Sequence, residues 1–169
     1  MAISIIETRW DEHEAALRGL RQNVFINEQH VPEELEWDGE DSAAIHFLAL
    51  DAEQQPVGCI RLLPTGQISR LCVLSEQRNN GVGSSLLVAA EETARANRMD
   101  ALFLHAQTPA TTFYKAYGFS VSGGIFLDHH IPPRQMFTPL TSHIPLSIST
   151  TDSLPPPHYP APTTAPTSP

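Results

Sequence analysis

A chain of 169 residues with 41% apolar content has room for one folded domain with a proper core, and is too short for two ordinary ones. Its formal net charge of −9 argues against nucleic-acid or anionic-membrane partners, either of which calls for a basic face. A neutral or cationic small molecule suits it better.

In chain order, the N-terminal MAISIIETRW lacks the basic head and apolar stretch of a secretory signal, and no run approaches the ~18 apolar residues of a membrane helix. A cytoplasmic protein is expected. ISIIET reads as a first strand. A helix start comes next, with Asp11 as N-cap, Glu14 closing a capping box and Trp10 placed to staple against Ala15. Leu17, Leu20 and Val24 give the core stripe of a helix ending near Phe25. The segment NEQHVPEELEWDGEDSA is irregular and acidic. IHFLAL, VGCIRLL and QISRLCVL read as strands separated by the turns DAEQQP and PTG. Cys59 and Cys72 lie in those apolar runs without disulfide-framework or zinc-ligand spacing, so both are expected to be reduced core residues, and no metal is called for. Val82, Leu86, Leu87, Ala90 and Ala94 mark a second long helix stopping around Asn97. ALFLHA is another strand, TPATTFYKAYGF a short helix running into a strand, and MFTPL a last strand. Strands with helices between them predict an α/β or α+β fold. From Thr141 onward Pro, Ser and Thr dominate, with no Lys or Arg, so residues 141–169 read as a disordered tail on a domain spanning 1–140.

The stretch EQRNNGVGSSLL, between the third of these internal strands and the second long helix, carries the chemistry. Gly81 and Gly83 let the backbone turn tightly and bring N–H groups close to a ligand. Those are the unpaired donors of a helix's first turn, where the helix dipole adds partial positive charge. Arg78 can add a full charge. The result is an anion site suited to a phosphate or pyrophosphate; the plain alternative is a glycine turn capping an ordinary helix. A P-loop is excluded because no lysine follows either glycine, and a dinucleotide fingerprint because Leu86 stands where a third small residue is needed.

Arg78-Asn79-Asn80-Gly81-Val82-Gly83 fits the [Q/R]-x-x-G-x-[G/A] loop of the GNAT superfamily of N-acetyltransferases, and LHAQTPATTFYKAYGF resembles that family's fifth strand and fourth helix with the Tyr-x-x-x-Gly-Phe ending. VFINEQHVPEELEWDGED and FLDHHIPPRQM are similar to a bacterial subgroup, the YjcF/ElaA-like acetyltransferases. The resemblance covers about residues 3–140. It implies a mixed, mostly antiparallel central sheet of about six or seven strands flanked by about four helices. It also implies acetyl-CoA as cosubstrate. Its pyrophosphate would lie on the backbone N–H groups of Arg78, Asn79, Asn80, Gly81, Val82, Gly83 and Ser84, and its pantetheine arm along Leu71, Cys72 and Val73. Gln107, standing where many members carry Asn, and Phe113 join the cofactor set, although the spacing of Phe113, Tyr117 and Phe119 also suits plain packing.

The reaction implied is direct attack by a primary amine of a small molecule on the thioester in a ternary complex. A free alkyl amine has a pKa of about 10, so its proton must leave and the departing sulfur must gain one. Tyr114 matches the family's acid, with a packing role as the alternative. Val73 matches the backbone N–H that polarises the acetyl carbonyl. Glu28, at a characteristic position of the subgroup, is the single best candidate for a base, or else a residue that ties down its loop. His105 is a further one. Glu33, Glu34, Glu36, Asp38, Glu40 and Asp41 either attract a cationic amine or form a solvated face. Arg61 and Arg70, inside strands, either anchor a substrate carboxylate or pair with that acidic run. One departure stands out: Pro133 fills the position of an expected histidine, with His129 and His130 nearby. That keeps open a catalytically degenerate acyl-CoA-binding sensor, and acetylation of a protein or peptide amine is a third reading. Members of the superfamily often dimerise, so a homodimer is a further expectation.

Overall fold

Burial sets the architecture, because three successive segments, Ile45–Leu50, Pro56–Leu62 and Ile68–Val73, are buried on both faces. The computed structural model describes residues 2–106, 108–121 and 134–140. Gln107, His129, His130, Pro133 and the 141–169 tail lie outside the described residues, as does residue 1. Strands β1 (Ser4–Arg9), β2 (Ile45–Leu50), β3 (Pro56–Leu62) and β4 (Ile68–Val73) form an antiparallel sheet in that order. Strands β5 (Ala101–Ala106), β6 (Ser120–Val121) and β7 (Arg134–Pro139) form a second, ordered β5-β7-β6. Among the described residues the two sheets share one ladder contact, a parallel bridge between Gln67 and Phe103, where the Phe103 N–H donates to the Gly66 carbonyl at 3.1 Å.

Helix α1 (Glu14–Arg21) covers one face of the first sheet, and its Leu17 and Leu20 pack with Leu48, Cys59 and Cys72. A short helix α2 (Glu33–Glu36) lies in the acidic segment. The long helix α3 (Val82–Ala96) covers the opposite face, where Val82, Leu86, Leu87, Ala90 and Ala94 join Phe47, Ile60, Leu71 and Val73. Helix α4 (Thr111–Lys115) comes after β5, and its Phe113 and Tyr114 enter the same core. That core also holds Leu102, Leu104 and Met136 of the second sheet, so shared apolar burial holds the two sheets together where hydrogen bonding does not. No helix among the described residues is long and apolar enough to cross a membrane.

The N-terminal helix departs from expectation at both ends. The chain first makes a single tight turn, Trp10–Glu12, and it is Glu12 that accepts from the Arg9 N–H at 3.2 Å, so the cap lies two residues earlier than Asp11 and Glu14 predict. The Trp10 ring lies 5.5 Å from that of His46, with the Arg18 and Arg21 guanidinium groups 5.2 and 5.5 Å away. At the other end the helix does not stop near Phe25. It widens into a π-helical turn, Gln22–Glu28, in which the Gln29 N–H reaches the Val24 carbonyl at 3.0 Å.

Strand β4 carries a bulge. Arg70 has φ of 59°, and pairing with β3 shifts register between Cys59 and Arg61. Without it, Ile68, Arg70 and Cys72 would share a face. The extra residue resets the phase, placing Leu71 and Val73 on the α3 side and leaving Ser69, Arg70 and Cys72 on the α1 side.

Candidate active site

The glycine loop bridges β4 and α3. Gly81 adopts φ of 82° as the residue preceding α3, a conformation that costs an L-residue about 1–2 kcal/mol, and a Cβ built there meets nothing within 4 Å. The first turn therefore opens onto free space on the side where a ligand can approach. The Ser85 N–H is the first to find a carbonyl, that of Gly81, at 3.0 Å. Helical geometry leaves the N–H groups of Val82, Gly83 and Ser84 without an i−4 acceptor, at the positive end of a 15-residue helix. Asn79, at φ 68°, adds a second left-handed residue to the loop. Such a cradle fits the pyrophosphate of a coenzyme A.

Strand β4 offers its far edge beside the loop. The Leu74 N–H donates to Val57 on the β3 side at 2.9 Å, so by strand alternation the Val73 N–H and carbonyl point the other way, toward β5. Among the described residues β4 and β5 pair only at the Gln67–Phe103 bridge, so the β4 edge beyond it, out to Val73, carries no strand partner. Leu71 and Val73 turn their side chains into the α3 core, and Cys72 turns its own the opposite way, with its sulfur 3.7 Å from that of Cys59. That hydrogen bond and complete burial push the Cys72 thiol up. What this strand can offer a ligand is therefore backbone, and Cys72 is a core residue in its side chain.

Arg78 does not extend over the loop. Its Nε donates to the Val73 carbonyl at 2.8 Å, and its two terminal nitrogens fork onto both oxygens of Glu28 at 2.7 and 2.8 Å. The hydrogen bond from Arg78 holds the Glu28 carboxyl below its usual range. Tyr114 is 1% exposed, its ring 4.9 Å from that of Phe113 and 5.8 Å from that of Phe119, both edge-on. His105 lies exposed on β5. Two surface depressions of about 560 Å³ each flank α3; one touches the loop only through Ser84 and Ser85 and carries Glu7 and Glu92, so neither its place nor its charge suits an anion.

The acidic segment is not a solvated face throughout. Glu36 and Asp41 are buried, and three arginines converge on them. Arg21 donates to Glu36 and Asp41, both at 2.7 Å; Arg61 to Asp38 and Asp41, at 2.9 and 3.0 Å; Arg70 to Glu36 and Asp38, at 3.0 and 3.2 Å. Arg61 and Arg70 are thus spent on the acidic segment and do not stand free for a substrate carboxylate. Burial works against ionisation of Asp38, but the hydrogen bond and charge of Arg61, the Glu40 N–H and the charge of Arg70 together outweigh it and bring that carboxyl down to about 2. Burial wins at Glu36, whose carboxyl is raised against the pull of Arg70 and Arg21. Sequence reasoning missed the burial of Glu36 and Asp41, and with it the role of Arg21; the only signal was three arginines at apolar positions, each in need of a partner.

A glycine-framed helix start beside an unpaired strand edge is an arrangement suited to an anionic ligand. A family description, acetyltransferase (GNAT) domain, matches residues 11–138. The uncharacterised N-acetyltransferase YjcF of Bacillus subtilis is 39% identical over 121 residues, 69% of this chain and 86% of YjcF. Among solved structures, Escherichia coli ElaA superposes with a TM-score of 0.72 at 25% identity, covering 81% of this chain and 99% of its own. An acyl-CoA N-acyltransferase from Pseudomonas aeruginosa gives 0.70 at 27%, with 81% and 99% covered. The chain belongs to the GNAT acetyltransferase family, in its YjcF/ElaA-like bacterial branch, and is an acyltransferase.

Proposed function

We propose that the protein transfers an acetyl group from acetyl-CoA to a primary amine of a small molecule, by direct attack within a ternary complex. The observation that carries this reading is the β4 edge left without a strand partner past the Gln67–Phe103 bridge, with the turn of Asn79 to Ser84 at its end and the Val73 N–H on it. Acetyl-CoA supplies the activated thioester. In this reading the loop N–H groups hold the pyrophosphate and Val73 donates to the acetyl oxygen as it gains charge. Tyr114 gives its phenolic proton to the departing sulfur, and being closed off from water it does so in a low-dielectric setting. Gln107 and Phe113 complete the cofactor contacts. The net charge of −9 favours an acceptor that arrives as a cation.

Calorimetric titration with acetyl-CoA and CoA tests the site. The native protein should bind both, Gly81→Val should lose at least tenfold in affinity through the strain at φ 82°, and Tyr114→Phe should bind normally but release thiol from an amine mixture roughly a hundredfold more slowly. Absence of binding by the native protein would end the reading.

A further inference from the structure

Two elements distant in the chain, both beside the end of β4, are joined by one guanidinium. Glu28 closes the π-helical turn of Gln22–Glu28, and Arg78 opens the glycine loop, 50 residues later in the chain. The contact uses both carboxylate oxygens and both terminal nitrogens, a planar fork that only one orientation of each side chain satisfies. The remaining donor, Nε, goes to the Val73 carbonyl. That carbonyl faces the same way as the Val73 N–H, so whatever holds one fixes the direction of the other. The Glu28 end is itself anchored: the Val31 N–H donates to the Phe25 carbonyl at 2.8 Å and Val31 is buried.

We infer that Glu28 is a positioning residue rather than a base: through Arg78 it fixes the end of β4 and so aims the Val73 N–H outward from the unpaired edge of β4. The inference rests on the function proposed above for the meaning of that aim, though the clamp itself is a property of the free protein. Arg78 then contributes orientation more than charge, since its charge is already met by Glu28. Anion binding falls to the backbone donors of the loop. Removing the Glu28 charge accordingly leaves acetyl-CoA affinity unchanged or improves it while the rate falls, the opposite of what loss of a cofactor contact does.

The test uses Glu28→Gln, Arg78→Gln and the double variant. In the ligand-free protein, ¹⁵N-valine spectra with the Val73 amide assigned by Val73→Ile should show that amide displaced, and exchanging faster with solvent, in each variant. In turnover, Glu28→Gln should lower kcat by roughly tenfold to a hundredfold, the scale of a misplaced reacting group, with the acid limb of the pH profile kept. Adding it to Arg78→Gln should cost nothing further. An unmoved Val73 amide overturns the inference, as does loss of the acid limb in Glu28→Gln, which would make Glu28 a titrating base, or additive losses in the double variant. A native protein without turnover removes the proposed function instead, and the amide spectra then decide the clamp alone.

Discussion

Gly58 and Gly81 are both indispensable glycines, for opposite reasons. Gly81 needs its backbone conformation and faces open space. Gly58 sits in the middle of β3, where a Cβ would come within 2.9 Å of the Cys72 carbonyl oxygen, 3.2 Å of Leu86 and 3.3 Å of Val82. It is the contact point at which α3 settles onto the sheet, directly opposite Val73. Gly58→Ala should therefore lower the free energy of unfolding by about 1–3 kcal/mol in urea titration, as overpacking does. The loop glycines were legible because glycine before an apolar helical run has a known use. Gly58 was silent, because a glycine inside VGCIRLL reads only as a weak strand position until the helix above it is in place.

At the scale of elements, the segment between α1 and β2 is held by charge. Arg21, Arg61 and Arg70 meet Glu36, Asp38 and Asp41 in equal number, and Arg18 and Arg21 lie between the rings of Trp10 and Trp37, at 4.7 to 5.5 Å. One oxygen of Glu36 has no hydrogen-bond partner among the described residues, so the cluster is balanced but not fully satisfied. Arg21→Met keeps the volume and removes one buried cation, leaving Glu36 and Asp41 under-compensated. Roughly 3–5 kcal/mol of stability should be lost, with unfolding midpoints as the readout, and a loss below 1 kcal/mol would show the segment to be held by the tryptophans instead. The acidic composition of this segment misled because burial of a carboxylate depends on partners 15 to 34 residues away, which no local pattern announces. The bulge at Arg70 was hidden because ISRLCV reads as a buried run interrupted by two polar residues, and the left-handed residue is an arginine rather than a glycine.

Across the whole molecule, strand and helix periodicities foretold nearly every element, since each buries a face over several residues. The unpaired edge of β4 was not legible in the residues, because it depends on where pairing ceases; the family resemblance implied only that the pantetheine arm runs along Leu71, Cys72 and Val73. One core spans both sheets and reaches Leu140, the last described residue, at 6% exposure. If the folded unit ends there, deleting residues 141–169 should change the melting temperature by less than about 2 °C and leave acetyl-CoA binding intact in calorimetry. A larger drop would place part of the fold beyond residue 140.

The π-helical turn has a consequence for how this chain tolerates change in length. Closing on the fifth residue, it stores one amino acid more than an α-helical turn would. Excising a single residue there would let the segment wind with α-helical i→i−4 bonds while the chain on either side keeps nearly the same direction, whereas the same excision within α1 would swing the downstream chain by about 100°. The turn is thus a spare link: here the chain can shorten by one residue and still point the same way.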